Sequence, residues 1–92
     1  MKTIYKYNLK VTDVQQIQLQ KEAQILCVQT QHGEPQLWAE VDTNTTPEAR
    51  TIEMFGTGHP ISQEMGQSRR YISTFQMENG SLVFHAYEYT GV

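Results

Sequence analysis

One cysteine, Cys27, is all the thiol chemistry available in these 92 residues. A lone cysteine excludes an intrachain disulfide and any tetrathiolate zinc site. Its neighbours Ile25, Leu26 and Val28 read it as a buried structural thiol, because a reactive one needs an electropositive, partly open setting. Long apolar runs are missing too: nothing approaches the roughly 18 residues that a membrane-crossing helix requires. The opening Met1–Lys6 carries charge without the continuous apolar core of a leader, so cytoplasmic residence is the expectation. Positive charge is scarce, with seven Lys and Arg against ten Asp and Glu and a net charge of −3. That argues against non-specific nucleic-acid binding, which rests on neutralising many phosphates. A small anionic ligand needs only two or three cations and stays open. Three histidines show no short ligand spacing, so neither a metal nor a cofactor is expected.

What remains suffices for a folded globule. A hydrophobic fraction of 38% and nine aromatics (one Trp, five Tyr, three Phe) place the chain outside the disordered class. Its length fits one domain, residues 1–92, with no internal repeat or linker.

Periodicity points to strands almost throughout. Thr3, Tyr5, Tyr7, Leu9 and Val11 alternate with Lys6, Asn8 and Lys10, as a half-buried strand does. Ile17 and Leu19 alternate with glutamines, and Ile25–Val28 is an unbroken apolar run that suggests burial on both faces. A turn over Gln31–Pro35 precedes a strand with Leu37, Ala39 and Val41 inward. A polar loop over Thr43–Glu48 leads to a strand over Arg50–Phe55. Between Gly58 and Ser68 there is no period, with room for one helical turn near Gln63-Glu64-Met65. Asn79-Gly80 marks a two-residue hairpin between Arg70–Met77 and Ser81–Tyr89. The fold expected is mainly β: one antiparallel sheet of about 6–7 strands curled into a small barrel or sandwich.

The segment Gly56-Thr57-Gly58-His59-Pro60-Ile61 is richer than a connection requires. Its glycines permit positive φ and close approach to the backbone, while Pro60 keeps His59 out of helical geometry. Such a turn can form an anion nest from successive amides. Arg69 and Arg70 offer guanidinium forks for phosphate or carboxylate, but adjacent strand residues face opposite ways, so one at most serves a given site. Trp38, with Tyr5, Tyr7, Tyr71, Tyr87 and Tyr89 extending the surface, reads as a second core face, a dimer contact or a stacking platform for a base. His85, between Val83 and Tyr87, reads as a satisfied strand histidine.

Met1–Tyr7, Ile25–Gln29, Leu37–Asp42, Gly56–Ile61, Tyr71–Phe75 and Gly80–His85 together resemble a family of small uncharacterised bacterial and phage proteins, a domain of unknown function. The resemblance spans almost the whole chain and implies no catalytic residue. It implies a phage setting, hence host cytoplasm, where small proteins often block host defences.

Three functions are expected in order. The first is a non-catalytic binding protein that sequesters a nucleotide-like anionic ligand through Gly56, Thr57, Gly58, His59, Arg69, Arg70, Trp38 and Tyr71. The second is an inhibitor that binds a host defence protein, and the third a small hydrolase using His59 or His85. A homodimer covering the Trp38 face is expected as well.

Overall fold

The computed structural model describes residues 1–61 and 68–91; the helical turn expected near Gln63-Glu64-Met65 lies outside them. Seven strands follow one another: β1 (Lys2–Asn8), β2 (Val14–Gln20), β3 (Gln24–Gln31), β4 (Glu34–Asp42), β5 (Pro47–Gly56), β6 (Arg69–Met77) and β7 (Leu82–Tyr89). They form two antiparallel sheets, ordered β1-β4-β3 and β2-β5-β7-β6. Both sheets contribute to one core. Val28, Leu37, Ala39 and Val41 from the first share it with Leu19, Ile52, Met54, Phe75 and Ala86 from the second. The mainly β architecture and the inward faces of β4 and β5 are those the alternation predicts. Each fully buried Leu, Ile or Phe contributes about 1.5–3 kcal/mol by leaving water.

The sheets meet where β3 approaches β6, and there they are stitched by side chains. The Val28 amide donates to Ser73 Oγ at 3.0 Å, and Thr30 Oγ1 donates to the Gln76 carbonyl at 2.6 Å. Both strands carry a bulge near this seam, at Leu26 and at Ile72. A bulge bends its strand and strengthens the local twist, and the described strands do not close into a barrel.

Four local expectations change. Leu26 is 45% exposed, because the bulge turns it out of the Ile25–Val28 run and only Val28 of the four is fully buried. Val11 is also exposed, since the chain leaves the sheet after Leu9 donates its amide to the Pro35 carbonyl. The turn after β3 is shorter than Gln31–Pro35: His32 and Gly33 take positive φ, and Pro35 already belongs to β4. β5 begins at Pro47 rather than Arg50, a proline being tolerated as a first strand residue.

The β6–β7 hairpin is present with a longer loop than two residues. Met77 pairs with Leu82, and between them Glu78, Asn79 and Gly80 all have positive φ. At φ +91°, a side chain on Gly80 is strained and its Cβ would sit 3.1 Å from Gln76 Oε1. Gly80→Val is therefore expected to cost about 1–2 kcal/mol, read from urea unfolding. An unchanged midpoint would show that the loop relaxes freely.

Candidate recognition face

Strand register decides which side chains meet. On the outer face of the four-stranded sheet, Glu53 pairs across to Tyr87 and Tyr87 to Tyr71, while Phe55 pairs to His85 and His85 to Thr74. Aromatic rings thus run Phe55–Tyr87–Tyr71, with centroids 5.7 and 5.5 Å apart in edge-to-face contacts. The Arg69 guanidinium lies 5.5 Å above the Phe55 ring. Its Nε donates to Glu53 at 2.7 Å, and that hydrogen bond raises its pKa further.

A polar chain crosses the same face. Tyr71 Oη and Thr74 Oγ1 are 2.7 Å apart, Thr74 Oγ1 and His85 Nδ1 2.9 Å, and His85 Nε2 and Thr57 Oγ1 2.8 Å. The Gly56–Pro60 turn therefore sits beside the sheet with Thr57 facing the strand histidine. Both glycine expectations hold locally. Gly58 has φ +86°, and a Cβ on Gly56 would come within 2.9 Å of His59 Nδ1. The group that approaches Gly56 is the turn's own histidine ring. The Thr57 amide donates to the Val83 carbonyl and the His59 amide to the Gly56 carbonyl. Of the Gly56–Gly58 amides expected to line the nest, that of Thr57 is thus already engaged.

Arg69 and Arg70 do face opposite ways. Arg70 pairs with Glu88 on the core-facing side, and Glu88 also receives both Nε and Nη2 of Arg50. The Glu88 and Arg50 side chains are only 6% and 15% exposed, whereas Arg70 is 67% exposed. Arg50 further donates to the Ala23 carbonyl at 3.0 Å, tying β5 to the start of β3. Burial pushes the Glu88 carboxyl up, but the hydrogen bonds and charges of Arg50 and Arg70 outweigh it and hold the pKa below its ordinary 4.5. Because the folded value is the lower one, the stabilisation is complete above about pH 4.5 and lost as pH falls through the folded value. Acid titration of stability should thus show a slope below that pH which Glu88→Gln flattens. An equal slope in both proteins would place the acid transition elsewhere.

The expected site residues are brought together only in part. Thr57, Arg69 and Tyr71 share the outer face of the larger sheet, but Arg69 pairs at the Tyr89 end of β7 and the glycine turn adjoins its Phe84 end, where His59 packs against Gly56. Arg70 lies on the opposite side, in a cleft of about 450 Å³ with Leu26, Tyr71 and Ile72. Trp38 belongs to the other sheet, half-buried in register with Lys6 and Cys27. Tyr87, one of the tyrosines expected to extend a stacking surface, completes the face with Phe55, Thr74 and Glu53, which no motif announces and only cross-strand pairing reveals.

A hydroxyl beside an imidazole at 2.8 Å is the spacing of an activated nucleophile. Here, however, the far ring nitrogen meets the Thr74 hydroxyl, where a triad uses a carboxylate to stabilise the imidazolium. No cluster of three metal-ligating side chains occurs among the described residues. No helix among them is long and apolar enough to cross a membrane. A model of the family described as a domain of unknown function, DUF7352, matches residues 1–91. The chain belongs to this family. No curated protein and no solved structure matches it. The family brings no assigned residues, so the geometry carries the functional argument.

Proposed function

We propose that this DUF7352 member is a non-catalytic binding protein that engages a protein partner through the outer face of the β2-β5-β7-β6 sheet. The observation that carries the reading is the Phe55–Tyr87–Tyr71 run, which ends in a Tyr71 that is 54% exposed. Protein interfaces are enriched in tyrosine, phenylalanine and arginine, and a few such anchors supply most of the energy. Small ligands instead favour concave pockets that enclose most of their surface, whereas this face is an open sheet. In the phage setting that the resemblance implies, the partner is a host defence protein.

Sequestration of a nucleotide-like anion is the second reading. It draws on one observation, the exposed Arg70 beside Tyr71 in the cleft between β3 and β6. Glu22 and Glu88 line the same cleft and oppose an anion. Affinity purification with wild-type and Tyr71→Ala baits, followed by rebinding of the purified partner, tests the first reading. Thermal shift with linear and cyclic nucleotides tests the second. A nucleotide that stabilises the wild type but not Arg70→Ala, with no protein retained, would reverse the order.

A further inference from the structure

Four strands border the two sheets, and they are protected unequally. β3 and β6 face one another across the seam. β1 carries Lys2 and Lys6, and lysines on an edge discourage pairing with another chain. β2 has no such guard. Val14-Gln15-Gln16-Ile17-Gln18-Leu19-Gln20 contains no charge and no proline, and its only ladder among the described residues is with β5.

Backbone parity shows which groups this edge presents. The Asp13 carbonyl accepts from the Met54 amide, and the Lys21 amide donates to the Thr46 carbonyl. In an antiparallel ladder the direction of these groups alternates along a strand. Odd positions therefore point toward β5. Val14, Gln16, Gln18 and Gln20 point their N–H and C=O groups outward; the Gln20 carbonyl already accepts from the Ala23 amide, which leaves four donors and three uncommitted acceptors on the edge.

We infer that β2 is a homodimerisation edge that pairs antiparallel with β2 of a second copy about a two-fold axis through Ile17. This register sets Gln16 opposite Gln18 and Val14 opposite Gln20, so all four outward positions find outward partners. Ile17 meets its own counterpart in a non-hydrogen-bonded pair, the type in which side chains come closest. One step beyond each strand end, Asp13 stands opposite Lys21 of the other copy, twice per dimer. Centring on Gln16 or Gln18 leaves outward groups unpaired and separates these charges. The occupant is thus specified by self-complementarity: uncharged amides in the middle and opposite charges at both ends. Cross-strand partners share a face, so the two recognition faces would lie side by side on one eight-stranded sheet.

Sedimentation equilibrium across the micromolar range tests the proposal. The wild type is expected to be a dimer. Gln18→Pro removes an outward donor without touching the β5 ladder, and it should remain folded by circular dichroism and become monomeric. Asp13→Lys and Lys21→Asp each place like charges opposite one another and should each weaken the dimer about tenfold. The Asp13→Lys/Lys21→Asp double variant should recover wild-type association. A monomeric wild type overturns the inference. So does a dimer indifferent to Gln18→Pro or to the charge exchange.

Discussion

Glu88→Ala should lower the unfolding free energy by about 3–5 kcal/mol, the largest effect expected of any single polar substitution in this chain. Glu88 is a buried carboxylate that accepts from two guanidiniums, and one of those, Arg50, is itself mostly buried. Removing it leaves the Arg50 charge in a poorly hydrated site with, among the described residues, the Ala23 carbonyl and, at 4.0 Å, Glu48 as its remaining partners. Arg70→Ala should cost far less, on the order of 1 kcal/mol or below, because its side chain is two-thirds exposed and water replaces its partner. The contrast between two arginines on one carboxylate is the informative quantity. It is read from urea unfolding at neutral pH. Equal losses for Glu88→Ala and Arg70→Ala would mean that the cluster is solvated.

Tyr71→Ala carries the second large effect, on binding rather than folding. More than half of this side chain is in water, so its removal should change stability little. At the end of the ring run it is placed to anchor a partner. Truncating such an anchor costs about 2 kcal/mol or more, a loss of roughly thirtyfold in affinity. Tyr71→Phe separates ring from hydroxyl. It keeps the edge-to-face contact with Tyr87 and loses the hydrogen bond to Thr74. Retained affinity in Tyr71→Phe assigns the energy to the ring, and loss in both assigns it to the hydroxyl chain.

Alternation alone made the mainly β class and the inward faces of β4 and β5 legible, since period two on a half-buried sheet is a strong constraint. What it did not show was register. Leu26 and Ile72 are the extra residues of bulges, and nothing in a local apolar run announces a bulge. Asn79-Gly80 correctly marked a hairpin with positive φ, but Glu78 shares that geometry and lengthens the loop. The glycine turn was correctly read as a place of close approach. The sequence could not say that the approaching group is His59 itself. Arg69 and Arg70 were legible as opposed side chains, but their partners Glu53 and Glu88 lie 16 and 18 residues away along the chain. Trp38 and Tyr71 look alike as exposed aromatic candidates, yet pairing sends them to different sheets.

That difference allows a direct test of the central claim, that the outer face of the four-stranded sheet is the recognition surface. Isothermal titration would measure the affinity of the purified partner for wild type, Tyr71→Ala and Trp38→Ala, each first shown to be folded. A loss of about thirtyfold for Tyr71→Ala, with wild-type affinity for Trp38→Ala, is the predicted result. Wild-type affinity in Tyr71→Ala and a loss in Trp38→Ala would move recognition to the other sheet and contradict the account.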